Sequence, residues 1–288
     1  MGVDTPVEFL SLCANYLIMF FTHKNYQLHF KAAQNRLKKK YLSDGIYSFK
    51  EVRLPLLDTA TGNSFGGYVF KDTFFVYMER NDCYDEASIN LYYDLLHEGP
   101  YGLRNDIVNV TVEAGDIVFD VGSWIGDFAA YASAKGAFTY AFEPSDAVYH
   151  YLLKTAELNK NIYPVKKGLG DVQTIAAFTY DIDNSGANAI VSGNFTNKEQ
   201  MVEITTIDAF VEENNLACVD FIKADIEGHE RYMLKGAKKT LRKFAPKLAI
   251  CTYHLPDDPQ VLAKIIKDCN PAYNIVQKKK KLYASVPK

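Results

Sequence analysis

No stretch of this 288-residue chain is long and apolar enough to read as a membrane span. The strongest run, FLSLCANYLIMFF at residues 9–21, has 13 residues and includes Ser11 and Asn15, against the roughly 18 to 20 that a spanning helix needs. No basic cluster precedes it, as a secretory leader would require, and Pro6 stands where myristoylation wants Ser or Thr. Cysteine is scarce: Cys13, Cys83, Cys218, Cys251 and Cys269 are an odd set with no CxxC spacing, which excludes a zinc knuckle and a disulfide-stapled scaffold. A reducing, cytoplasmic setting follows as the expectation. Neither sign of charge is in large excess, since 32 basic residues face 35 acidic ones for a net charge of -3. That balance supplies no global positive field for a nucleic-acid backbone, and no Asn-Pro-Pro-Tyr-type base-flipping motif is present. Internal repeats are also missing. What remains is ordinary globular composition, 48% apolar and 23% charged, in a length that suits one large domain or two modest ones.

Two textures divide the chain, and the expected boundary falls between residues 1–106 and 107–288. In the first part, Phe9, Cys13, Tyr16 and Phe20 recur at helical spacing, and NRLKKKY ends a second, basic helix. This pair reads as a packing or dimerisation element that walls the acceptor site, with at most a weak peripheral membrane contact. Residues 46–79 alternate and turn like a small antiparallel sheet, and a helix is expected over residues 85–97. From residue 107 short apolar strands alternate with helices, the grammar of a parallel sheet with crossover helices. Strands are expected at residues 116–121, 138–143, 161–168, 219–225 and 246–254. Helices are expected at 126–135, 146–159, 228–243 and 259–269, and an insertion at 174–203 contains the turn DIDNSG. The last two strands, around 273–276 and 281–286, lie too close for a parallel crossover and must pair antiparallel. KKKK at residues 278–281 reads as the solvated tip of that hairpin.

GDIVFDVGSWIGD, from Gly115 to Asp127, is the most informative segment. A buried strand ends at Asp120, turns through Gly122 and enters a helix at Gly126, so the backbone can approach a ligand. The spacing is DxGxxxG and not the GxGxxG of dinucleotide enzymes, which counts against a nicotinamide cofactor. Glu143 ends the next strand 21 residues after Gly122, where a carboxylate can accept both hydroxyls of a ribose.

DVGSWIGDF, AFEPSDAVYHYL, VDFIKADIEGHERYMLKGA and LAICTYHLPDD occur in this order, and together they resemble the FkbM family of S-adenosylmethionine-dependent O-methyltransferases over roughly residues 98–285. The resemblance implies an α/β, Rossmann-like seven-stranded class I methyltransferase sheet, following an N-terminal helical and small antiparallel β region. It further implies S-adenosyl-L-methionine as cofactor. By position, Asp120, Gly122, Ser123 and Gly126 would surround the methionine portion, Glu143 the ribose, and Pro144 and Leu169 the adenine. The family commonly has Ala-Asn where this chain has Ser123 and Trp124. An indole beside a sulfonium adds a cation-π attraction of about 0.5 to 2 kcal/mol, although simple packing accounts for a tryptophan equally well.

Methyl transfer needs alignment and removal of a proton from the acceptor hydroxyl. Asp225 and Glu227 follow the fourth strand, and His254 is expected at the end of the fifth, both at the edge that carries Gly122 and Glu143. His254 is the expected base, Asp225 its orienting carboxylate and Glu227 the alternative, while Glu227 and Glu230 equally suit the N-terminus of a helix. Lys223, two residues before Asp225 on the same side of its strand, reads as that carboxylate's neutralising partner. Asp225, Glu227, His229 and His254 offer metal donors, but no compact ligand motif joins them and no metal is expected. The expected activity is O-methylation of a small-molecule or glycan hydroxyl, on a sugar or a secondary metabolite, by a possible homodimer that binds no nucleic acid. The rival readings are a non-catalytic methyltransferase-fold binding protein and, on weaker grounds, a nicotinamide-dependent dehydrogenase.

Overall fold

Seven strands between residues 117 and 285 form one sheet because the central ones are apolar and buried on both faces, with helices covering both sides. The structure is a computed structural model and describes residues 39–56, 63–65, 68–70, 100–179, 189–190 and 199–287. The strands are β1 (Ile117–Val121), β2 (Phe138–Phe142), β3 (Ile162–Val165), β4 (Phe221–Ala224), β5 (Lys247–Cys251), β6 (Asn274–Lys278) and β7 (Lys281–Ser285), in the spatial order β3-β2-β1-β4-β5-β7-β6. The first five run parallel and β7 is antiparallel to both neighbours, as the short β6–β7 connection requires. The direction of strand order reverses between β1 and β4, so the carboxyl ends of β1, β2, β4 and β5 open on one crevice, the usual ligand position of such sheets. This is the expected seven-stranded architecture.

Period-two alternation sorts the core. Phe119, Ile222, Leu248 and Leu282 face one helix layer, while Val118, Phe221, Ala249 and Tyr283 face the other. Each large apolar side chain so buried contributes about 1.5–3 kcal/mol. The helices are α1 (Asp127–Ala134), α2 (Asp146–Leu158), α3 (Ile207–Glu213), α4 (Glu230–Lys235), α5 (Lys238–Lys243) and α6 (Asp258–Cys269). The single helix expected over residues 228–243 is broken into α4 and α5. At the break, Gly236 lies so close to Gly170 that a Cβ there would sit 2.0 Å from the Gly170 carbonyl oxygen. Asp208 of α3 then caps α5, accepting from the backbone N–H of Lys239 (2.9 Å) and of Thr240 (2.8 Å).

The insertion is a small side sheet in which Thr174–Thr179 and Glu199–Thr205 pair antiparallel, with Ala189–Ile190 at one edge and Gly168–Leu169 at the other. Its DIDNSG turn lies outside the described residues, as do the expected helices before residue 39 and at 85–97, and Cys13 and Cys83. Of the small N-terminal sheet, Leu42–Ser43, Ile46–Phe49 and Val52–Pro55 form an antiparallel unit, and Asn63–Phe65 pairs with Tyr68–Phe70. Val52–Pro55 packs on α1 and α2, and Arg53 exchanges two hydrogen bonds with the Asn159 amide, donating at 3.0 Å and accepting at 2.6 Å. The boundary expected at 106/107 falls inside a hairpin pairing Leu103–Arg104 with Asn109–Val110, and Tyr101 just before it is buried against Phe128. Among the described residues no helix is long and apolar enough to cross a membrane.

Candidate active site

At the end of β1 the chain cannot rise straight into α1, because β4 crowds it. Gly122 turns with φ +72°, and a Cβ at that position would lie 2.0 Å from the backbone oxygen of Asp225. The glycine is therefore required by contact with the neighbouring loop, whatever ligand also lies there. The N–H groups of Gly122 and Ser123 both donate to the Phe142 carbonyl, at 3.1 and 2.9 Å, which ties this loop to the end of β2. Gly126 caps the start of α1 against Leu152 and Thr155 of α2.

Glu143 ends β2 in a buried position, with Oε2 accepting from the Trp124 N–H (3.0 Å) and Oε1 from the Ser145 N–H (2.8 Å). Burial dominates its titration and pushes the carboxyl up to about 7, against the lowering effect of those two N–H groups and of Lys223. Trp124 is half-buried and occupies the left-handed region, φ +51°, which orients its N–H toward Glu143. Beside Glu143, the buried Ser145 hydroxyl has no hydrogen-bond partner among the described residues. A buried carboxylate with one lone pair free on each oxygen, next to an unpartnered hydroxyl, is a donor–acceptor set that fits a diol. Leu169 is buried, and Pro144 is half-buried with its carbonyl accepting from Gln200 at 2.9 Å.

Asp120 is fully buried. Its Oδ2 accepts from the Ser123 hydroxyl at 2.7 Å, and its Oδ1 lies 2.9 Å from the buried Lys223 ammonium, its register partner on β4. Lys223 also donates to the Gly122 carbonyl at 2.6 Å, and the ring of Tyr101 lies 5.1 Å away. The neutralising partner expected for Asp225 is thus an ion pair with Asp120 that braces the β1 loop from below. Lys281 corrects a second expectation. It opens β7 fully buried, with the Tyr101 ring 4.3 Å from its ammonium, and so is not part of a solvated tip.

The end of β4 carries Asp225, which accepts from two phenols, Tyr101 on Oδ2 at 2.6 Å and Tyr253 on Oδ1 at 3.0 Å. Glu227 follows in the left-handed region, φ +53°. His254 lies three residues beyond the end of β5 rather than within it. Its Nε2 is 3.7 Å from Asp225 Oδ1 and 3.4 Å from Glu227 Oε2, while its Nδ1 is 3.1 Å from Glu230 Oε1. These approaches are close but out of line for directional hydrogen bonds. Burial alone would lower the pKa of His254. The proximity and charge of Glu227 and Glu230 outweigh it and hold the imidazole up to about 10. At neutral pH the ring is then an imidazolium, which has no lone pair with which to take a proton. Arg231 fixes the loop from behind, donating to Asp258 at 2.8 Å and pairing with Asp257.

The structure therefore gathers Asp225, Glu227 and His254 into one cluster beside the Gly122 loop. His229 stands apart, stacked on Tyr232 with ring centroids 4.6 Å away. Sequence reasoning did not reach Tyr101 and Tyr253. Tyr253 adjoins His254 and was within reach of a positional reading, whereas Tyr101 is 124 residues from its carboxylate and left no signal.

A reversing α/β sheet with a glycine turn after β1, an acidic residue ending β2 and a polar cluster after β4 and β5 defines the class I methyltransferase fold. Residues 120–272, just over half of the chain, match the methyltransferase FkbM domain, and the chain belongs to that methyltransferase family. It is 28% identical over 174 residues to the hexuronic acid methyltransferase AglP of Haloferax volcanii, covering 57% of this chain and 68% of the relative. Among solved structures it is similar to methyltransferase FkbM from Methylobacillus flagellatus, with 21% identity and a TM-score of 0.47, covering 73% of this chain and 57% of that one. The chain thus spans little more than half the length of that solved structure. A further likeness is to Aeropyrum pernix fibrillarin with bound S-adenosyl-L-methionine, with 14% identity and a TM-score of 0.41, covering 85% of this chain and 97% of the other.

Proposed function

We propose that the protein transfers the methyl group of S-adenosyl-L-methionine to an oxygen of a sugar or related small-molecule acceptor. One observation carries this reading: the Asp225–Glu227–His254 cluster abuts the Gly122 loop, so a cofactor held by the loop and an acceptor held by the cluster would be neighbours. When bound, the cofactor supplies an electrophilic methyl on a sulfonium. Glu143 and Ser145 hold the ribose end, Leu169 and Pro144 flank the adenine, and Asp120, Gly122, Ser123, Trp124 and Gly126 enclose the methionine end. Asp225, fixed by two phenols, orients the acceptor hydroxyl. Glu227, with a quarter of its side chain exposed (24%), is the carboxylate through which the hydroxyl proton leaves to solvent. His254 holds its charge between the carboxylates and sets their spacing. Alignment of this kind supplies about 7–11 kcal/mol, more than proton transfer alone.

The name of the Haloferax relative supports a sugar acceptor, and an acidic sugar suits the rim. There the Lys280 ammonium stands 5.2 Å from the centroid of the Tyr253 ring, next to the cluster. The test has two arms. S-adenosylmethionine or its demethylated product, at about 100 times its Kd, is expected to contribute about 2.7 kcal/mol and raise Tm by roughly 5–11 °C, while NAD does not. Labelled methyl donor with neutral and acidic oligosaccharides should then give an alkali-stable methyl ether. No shift with either sulfur compound overturns the cofactor assignment, and label found on nitrogen or carbon overturns the oxygen acceptor.

A further inference from the structure

The His254 imidazole is more than nine-tenths buried, at 7% side-chain exposure, yet neither ring nitrogen has an aligned hydrogen-bond partner among the described residues. Nε2 points between two carboxylate oxygens at 3.4 and 3.7 Å, and one donor atom from each of the three residues lies within 4.8 Å of the others. Such distances are long for hydrogen bonds, but they suit the edges of a coordination polyhedron. Ligand bonds of about 2.1 Å give donor–donor edges of about 3.0 Å in an octahedron and about 3.4 Å in a tetrahedron. The surroundings are those that metal ligands need. Glu230 stands 3.1 Å from Nδ1, on the far side of the ring, where a carboxylate retains the Nδ1 proton while a cation displaces the proton that the ligand-free imidazolium carries on Nε2. Asp225 is oriented by the Tyr101 and Tyr253 hydroxyls, and Glu227 leaves one side of the cluster open to solvent.

We infer that Asp225, Glu227 and His254 form a binding site for one divalent cation, with an open position for the acceptor oxygen. The alternative triad, Glu230, His254 and Asp258, is closed, because both of its carboxylates are fully buried and Asp258 already holds Arg231 and the Leu255 N–H. One imidazole nitrogen with two carboxylates favours a transition-type ion such as Mn2+ or Zn2+ over Mg2+. The ion's role, though not its binding, rests on the methyltransferase reading. The acceptor hydroxyl bound at the open position loses its proton to the free oxygen of Glu227 and then to water. The oxygen's electron pair forms the new C–O bond as the methyl–sulfur bond breaks and its pair returns to sulfur.

Mn2+ alone is the first probe, titrated into the ligand-free full chain and followed by loss of the free-ion EPR signal. One ion per chain is expected, displaced by Zn2+, with a pulsed-EPR coupling to a single imidazole nitrogen. His254→Ala should abolish the nitrogen coupling. Glu227→Gln, at a part-exposed position that need not disturb the fold, should weaken Mn2+ binding at least tenfold, and Glu230→Gln by about 10- to 100-fold. Absence of nitrogen coupling in the wild-type protein, or unchanged affinity in Glu227→Gln, overturns the site. Binding of S-adenosylmethionine is measured on the same samples. Its failure with Mn2+ coupling intact would remove the methyltransferase reading and leave the cation site, and the reverse result would remove the cation site alone.

Discussion

The two halves of the crevice are built from different materials. At the ends of β1 and β2, Glu143 is held by backbone N–H groups of Trp124 and Ser145, and the Gly122 and Ser123 N–H groups are held by a carbonyl. At the ends of β4 and β5, the polar atoms that meet are side chains, with three acidic groups around His254 and two phenols on Asp225. A backbone-built site serves a ligand that stays the same, since its geometry follows from the turn. A side-chain-built site can be retuned one residue at a time.

The harshest way to break the contrast is Gly122→Ala, because that residue belongs to both halves. The added Cβ meets the Asp225 carbonyl and the positive φ is unfavourable, so a loss of about 3 kcal/mol or more is expected in denaturant unfolding. Near-wild-type stability would show that the two loops are not in contact. His254→Ala should separate the halves. Turnover on the native acceptor is expected to fall by about 10²-fold, the cost of misplacing Asp225 and Glu227 by about 1 Å, while cofactor affinity stays within a small factor, as separate kcat and binding measurements would show. Equal losses in both would mean that the cluster also serves the cofactor.

Tyr101→Phe removes one of the two phenol hydrogen bonds from Asp225 and keeps the ring over Lys281. A stability loss of about 0.5–3 kcal/mol is expected, measured by thermal unfolding and compared with Tyr253→Phe at the rim. A fourth handle is the pH dependence set by Glu143. Its carboxyl titrates near 7 in the folded protein against 4.5 for an ordinary Glu, so the folded state holds the proton more tightly. Its contribution to the ligand-free protein is complete below about pH 4.5 and is lost as pH rises through about 7. Cofactor affinity should run the opposite way, because a ribose diol donates best to the ionised carboxylate. Titration of ligand-free Tm and of cofactor Kd between pH 5 and 8 checks both signs, and Glu143→Gln should flatten both.

The same contrast explains what could be read from the chain alone. The seven-stranded sheet was legible because the order and type of its elements follow from apolar runs and crossover lengths, and the antiparallel final hairpin follows from loop length. Asp120, Gly122 and Glu143 were legible because a turn after a buried strand leaves local marks. The break between α4 and α5 was not, since it depends on Gly170 from a distant loop. Lys223 and Lys281 were misread because sequence shows a charge but not which strand lies beside it, and burial against Asp120 or Tyr101 is decided by sheet register. His254 was grouped with Asp225 and Glu227 by position, but the approach of Glu230 to its Nδ1 was not legible, because it depends on where α4 starts.

Tyr101 lies upstream of the segment that matches the family, yet it clamps a carboxylate within that segment. Anyone recombining relatives of this protein would therefore need to exchange residues 100–110 and the loop after β4 as one block. A chimera that split them would keep its sheet and its glycine turn while Asp225 lost one of its two phenol donors, with the loss of stability expected for Tyr101→Phe.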